Sequence, residues 1–465
     1  MDSIDLEHLP LTYRETIAFV RKLGIQYLWI DSLCIIQDDR DDWRREAAGM
    51  ASIYRNSYLV ISAARSPAAD GGLFASLTPQ SYSVVTTNED GNEETVHVRQ
   101  SLPHVNTSNI SAARLHSNFP TLLRGWVFQE RFLSSRVLHF GSQELSWECL
   151  HQTACQCTGQ RSHPESSRNL AGSSGWLGRM LQRSVRAKSY YSAGTWANMD
   201  GAELEVCWRN LVEDYTNLDL SFEKDIFPAV SGLAKQFCEV RPSAYYAGLW
   251  EKSLLGDLLW HVEPNRGIAG NPEKLRRWTK RPSEWRAPSW SWAAARGPVA
   301  FINAAPGLEP SCEILEIKCT PSGTDATGEL VSGHILLRGT LVPATLDYHP
   351  RSVDRDIMPY NLWNSSFMKG MVGNLRADYD SLGQGPGHVP PGSAVFFLMI
   401  GKNIERFRGC YFLVLREVKP GMNDQPISYE RIGMLELSGG RSPVANQFWL
   451  DYVLAPGKDA VVRVL

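Results

Sequence analysis

The sequence predicts an α/β N-terminal region, then a helical segment, then a mostly-β C-terminal unit. Three observations carry that prediction. Residues 11–63 alternate helix and strand patterns, residues 203–260 place apolar side chains at helical period, and from residue 312 the chain reads as strands. At 465 residues, a soft prior of roughly 150 residues per domain gives two or three packing units. The net charge is −3, from 47 Lys+Arg against 50 Asp+Glu, and 43% hydrophobic residues supply a sizeable core. That balance argues against disorder, and against a nucleic-acid partner held on a strongly basic face.

The elements follow in order. Thr12 and Glu15 fit a capping box that opens a helix, Ile17, Val20 and Leu23 give its apolar stripe, and Gly24 ends it. Residues 27–30 are a short apolar run, read as a buried strand. A helix over 41–54 and a strand over 58–63 complete a spacing suited to parallel β-α-β units. Such a domain usually opens with a strand and this one opens with a helix, so the sheet is expected to be small or short of its first strand. Residues 66–118 read as an insertion around one strand pair. A helical turn near 126–131 precedes the apolar runs 136–140 and 144–149, which flank Gly141-Ser142-Gln143 as a hairpin spanning 136–149. The division is then an α/β domain over 1–157, a flexible Ser/Gly/Arg-rich linker over 158–201, a helical region over 202–300 and a β-rich region over 301–465.

No stretch approaches the 18 or so apolar residues of a membrane span, so none is expected. The first residues lack the basic and apolar parts of a secretory signal. Nine cysteines, an odd number, do not resemble a secreted disulfide framework, and the expected compartment is the reducing cytoplasm.

Two blocks carry a family resemblance. Leu23-Gly24-Ile25-Gln26-Tyr27-Leu28-Trp29-Ile30-Asp31-Ser32-Leu33-Cys34-Ile35-Ile36-Gln37-Asp38-Asp39, continued by Asp42-Trp43, Glu46, Met50, Ile53-Tyr54 and Asn56, resembles the central signature of the fungal heterokaryon-incompatibility (HET) domain. Arg124-Gly125-Trp126-Val127-Phe128-Gln129-Glu130-Arg131, with Leu138-His139-Phe140 and Trp147-Glu148-Cys149, resembles that domain's closing block. The resemblance implies a TIR-like α/β fold and a role in heterokaryon incompatibility, non-self recognition and regulated cell death. It also implies a strand motif upstream of the first helix, which residues 1–10 do not carry. NAD cleavage, known in TIR-like proteins, is therefore not expected.

Within these blocks Glu46 shares a helix face with Trp43, Met50 and Tyr54, and a carboxylate in an apolar stripe must be paired, protonated or exposed in a cleft. Its position resembles the TIR-type glutamate, which makes it a candidate catalytic group, the alternative being an ion pair with an arginine such as Arg124. Asp31 and Ser32 follow the expected strand, at the end where open α/β sheets bind ligands. Asp31 is a candidate orienting group, with turn capping as the alternative. Arg124, Trp126, Gln129 and Glu130 form a second polar and aromatic cluster, suited to clamping an anion or to tying helix to sheet. Trp29, Trp43, Tyr54 and Trp126 are expected to line a crevice for a small apolar molecule. Cys149, His151, Cys155 and Cys157 lack the spacing of the common zinc fingers, so no metal is expected. No Walker loop, His-Glu-x-x-His or Gly-x-Ser-x-Gly occurs, and no cofactor is expected. Besides cell death, two functions fit these residues. One is a cofactor-independent small-molecule enzyme, a cyclase or pericyclase of fungal secondary metabolism. The other is an inert module that binds a protein partner.

Overall fold

Helix α1 (Leu11–Lys22) buries Thr12, Thr16 and Val20 and stops where Gly24 takes φ +71°, a left-handed turn that costs glycine little. Its start departs from the expected capping box: Pro10 occupies the N-cap and no side chain caps the first turn. The Glu15 carboxylate instead accepts the backbone amides of Leu73 and Phe74, at 2.5 and 3.1 Å. The expected box was a local pattern, and a loop some 58 residues away offered the carboxylate two unpaired donors.

The computed structural model describes residues 4–75, 81–87, 90–99, 118–156, 161–162, 188–262, 281–302, 307–348, 360–363, 371–379, 387–403, 409–418, 427–438, 450–451 and 453–465. They form two compact units, Met1–Ser192 and Ala193–Leu465.

In the first unit, residues 25–30 are not a strand. They run into the single-turn helix α2 (Asp31–Cys34) with no ladder partner, and Tyr27 is 88% exposed. The expected buried strand fails because an apolar run becomes a strand only where a neighbour accepts its hydrogen bonds. Helix α3 (Arg40–Asn56) is capped by Asp39, whose carboxylate accepts the amides of Asp41 and Asp42. It leads to β1 (Val60–Ser62), shorter than the expected strand. β2 (Ser81–Thr87) and β3 (Glu93–Arg99) form the hairpin expected inside the insertion. Helix α4 (Gly125–Leu133) is followed by β4 (Arg136–Phe140) and β5 (Leu145–Cys149), the expected hairpin, then β6 (Thr153–Cys155) and β7 (Arg161–Ser162). The sheet order is β1-β4-β5-β6-β7, with β1 parallel to β4 at its edge and the rest antiparallel.

The linker expected over 158–201 is folded at its C-terminal end. A 3-10 turn over Lys188–Tyr191 and helix α5 (Ala193–Trp196) bury Lys188, Tyr191 and Trp196 completely. Residues 158–160 and 163–187 of that segment lie outside the described residues.

The second unit opens with α6 (Gly201–Tyr215), where Asp200 and Glu203 make the reciprocal capping box that α1 lacks. Helices α7 (Pro228–Val240) and α8 (Leu254–Asp257) follow. Six of the chain's 15 tryptophans, Trp196, Trp208, Trp250, Trp260, Trp290 and Trp292, are fully buried here. After the short pairs β8–β9 (Tyr245–Tyr246, Leu249–Trp250) and β10–β11 (Trp260–Val262, Val299–Phe301), the chain becomes one nine-stranded sheet. Its strands are β12 (Leu308–Pro310), β13 (Cys312–Pro321), β14 (Leu330–Tyr348), β15 (Tyr360–Trp363), β16 (Met371–Ala377), β17 (Ala394–Asn403), β18 (Gly409–Val418), β19 (Ser428–Ser438) and β20 (Lys458–Val464). Pairing of β14 with β17 as well as with β15 closes the circuit β14-β15-β16-β19-β18-β17 into a barrel. Val342, Leu346, Leu375, Phe397, Phe412 and Val414 belong to one buried cluster there, as a closed barrel filled by side chains requires.

Candidate functional site

Two helices of the first unit bring most of the expected residues together. On α3 the period places Trp43, Ala47, Met50 and Tyr54 along one face, and Ala47 and Met50 are buried. On α4, Trp126 and Glu130 are four residues apart and share a face. Trp43 meets Trp126 edge-on at 6.2 Å, and the Tyr54 phenol is hydrogen-bonded to the Glu130 carboxyl. Trp29 packs edge-on against Tyr54 at 5.7 Å. Asp31 and Arg124, both exposed, add one negative and one positive charge to the same group.

This setting moves the two acids of the pair. Glu130 is partly buried, and burial with repulsion from Asp31 pushes its carboxyl up to about 7, while Arg124 and the Tyr54 hydrogen bond pull the other way. Tyr54 is raised well above the ordinary phenol range by burial and by the neighbouring Glu130 and Asp31 carboxylates. At neutral pH the site therefore holds a phenol that stays protonated beside a carboxyl that can give or take a proton.

The other expected residues sit differently. Glu46 lies at the edge of that α3 face, between Met50 and Ile53, and is partly open to solvent, 3.8 Å from Arg45 on its own helix. The expected pairing with Arg124 is replaced by that local one. Ser32 shares a hydrogen bond with the Tyr13 hydroxyl at 2.8 Å, and Asp31 accepts the adjacent Ser32 amide at 2.8 Å, while Ile30 is the N-cap of α2 and no side chain caps its first turn. Neither residue follows a strand, because residues 25–30 form none. Gln129 is fully buried.

A second group was not singled out by the sequence. Arg131 of α4 grips Glu148 of β5 through two hydrogen bonds of 2.7 and 2.6 Å, and His139 of β4 meets the same carboxylate at 3.1 Å. Lys188 donates to the Arg131 carbonyl and to Ser134 Oγ, the latter at 3.2 Å. Burial opposes the Glu148 charge, but Arg131 and the His139 hydrogen bond overcome it and hold the carboxyl well below its usual range. Burial lowers His139 against the pull of Glu148, and it pushes Lys188 down to about 7. The missed signal was strand alternation: Val137 and His139 on β4, with Ser146 and Glu148 on β5, form one buried face.

The β5–β6 ladder places Cys155 opposite Ser146, three residues from Cys149. That is about 10 Å along the strand and on the other face, so the two cysteine side chains do not converge. Among the described residues no group of three metal-ligating side chains assembles, and Cys157 lies outside them. No described helix is long and apolar enough to cross a membrane.

No curated protein and no solved structure matches this chain. One family model does. Residues 2–130 match the family model described as heterokaryon incompatibility protein (HET).

Proposed function

We infer that this protein acts in fungal heterokaryon incompatibility, as an intracellular trigger of regulated cell death after non-self recognition, and that Glu130 is its working group. One observation supports the reading above others: the matched segment contains every member of the Tyr54, Asp31, Arg124 and Glu130 cluster. Glu130 would hand a proton to or from a bound molecule, Tyr54 would donate a hydrogen bond, and Arg124 would attract an anionic group. Trp29, Trp43 and Trp126 would supply apolar walls. Asp31 would tune Glu130 through charge, and Glu46 would take the nearest secondary place on the α3 face.

Controlled expression in a filamentous fungus, scored for cell death, tests this. Glu130→Gln should cut cell death by at least about tenfold, the scale of losing one proton-transfer group, with the melting temperature within a few degrees of wild type. Glu46→Gln should cost less than about threefold. Full activity in Glu130→Gln would sink the assignment.

A protonated carboxyl beside aromatic rings also suits a second reading, cofactor-independent cyclisation of a small apolar molecule, which needs a shaped pocket and a few donors. Glu130-dependent turnover of such a molecule, with no cell death on expression, would favour that reading.

A further inference from the structure

Helix α4 has two working faces. Trp126 and Glu130 look toward α3, while Phe128 and Phe132 lie nearly opposite at 100° per residue. Those two rings are met by a segment far along the chain. Tyr191, fully buried, packs on Phe132 at 5.0 Å and 88° and on Phe128 at 6.1 Å. Three residues earlier, Lys188, also fully buried, reaches the last turn of α4 and donates to the Arg131 carbonyl and Ser134 Oγ. The orphan carbonyls at a helix C-terminus attract a cation or donor, and Ser134 Oγ joins the same carbonyl at 3.0 Å. Arg131, Glu148, His139 and Cys149 are the titratable and charged groups around the amine. Ser192 ends the first unit, so this turn is where the chain leaves it.

We propose that residues 188–191 form a strap that holds α4 at the depth and rotation that bring Glu130 against Tyr54, with Lys188 and Tyr191 as positioning residues for the candidate site. The inference rests on Glu130 being that site's working group. A helix is about 10 Å across with its side chains and close-packed interiors transmit strain. Releasing one face of a nine-residue helix therefore shifts the other face and lets water reach the carboxyl.

The test follows the Glu130 carboxyl by carbon NMR through a pH titration of the full chain, with Glu130→Gln supplying the assignment. Amide exchange over residues 128–133 is read in the same samples. Lys188→Met keeps the aliphatic stem and removes the donor. It should lower the Glu130 midpoint by about one pH unit or more, toward the ordinary carboxyl value, and speed exchange in α4. Lys188→Gln, which keeps a donor without the charge, should fall between. Tyr191→Leu reaches the same readouts through the ring contacts and serves if Lys188→Met does not fold. A folded strap variant with a wild-type midpoint and wild-type α4 exchange overturns the proposal. The strap is read by the midpoint, and the function by cell death in Glu130→Gln, so either can fail without the other.

Discussion

The carboxyl of Glu130 stands between one charge of its own sign, Asp31, and one of the opposite sign, Arg124, and this makes its titration separable by substitution. Asp31→Asn removes repulsion and should lower the midpoint from about 7. Arg124→Gln removes attraction and should raise it, and Tyr54→Phe should raise it too, because the phenol hydrogen bond favours the ionised form. Stability follows with a definite sign. The folded-state value lies above the ordinary carboxyl value, so the protonated group stabilises the fold fully below about 4.5. That contribution is lost as pH rises through about 7. Urea unfolding of wild type at pH 4.5 and 7.5 should show this loss, of roughly 2 kcal/mol for a partly buried acid, and Glu130→Gln should abolish it. The sequence could name Arg124 and Glu130 from one motif block and Tyr54 from helix period, whereas its case for Trp29 and Asp31 rests on a strand that does not form, and their meeting with Glu130 was not legible. Period placed Glu46 on the α3 face and could not show that Arg45 stands beside it.

At the scale of elements, hydrogen-bond accounting decides what became of the sequence patterns. Residues 136–140 and 144–149 could be read as a hairpin because both partners lie within one short window. Residues 27–30 had equal apolar character and no partner, and remained outside the sheet. Thr12 and Glu15 had the spacing of a capping box, yet Glu15 binds the loop at Leu73 and Phe74. Glu15→Ala should therefore cost about 1–3 kcal/mol through two amides left without their charged acceptor, with little change in the helicity of an isolated α1 peptide. Equal losses in peptide and protein would restore the local cap. Among strands, alternation points to His139 and Glu148 as inward, but their meeting with Arg131 and Lys188 depends on packing across four separate stretches of chain.

At the scale of the whole molecule, each unit has a buried ion group of its own. In the first unit Arg131 and His139 share Glu148, and in the second Arg431 of β19 pairs with Asp378. Arg431 also donates to the carbonyls of Leu258 and Trp260 and lies 3.6 Å over the Trp260 ring. Five donors in a planar fork satisfy a carboxylate, two carbonyls and an aromatic face at once, which lysine could not do. The β character of residues 312–465 was legible from composition and alternation. The closure of β14 onto β17 was not, since it joins residues some 50 apart without a local turn signal. Removing one partner of a buried pair strands the other charge and costs about 3–5 kcal/mol, so Glu148→Gln and Arg431→Met should each destabilise by that order. The losses should also be local. Hydrogen exchange should speed in β4 and β5 for Glu148→Gln, and in β18 and β19 for Arg431→Met, because the partners named for each group lie within its own unit. Equal acceleration of both regions by either substitution would show that the chain unfolds as one cooperative body, and the ion groups would then be shared anchors rather than separate ones.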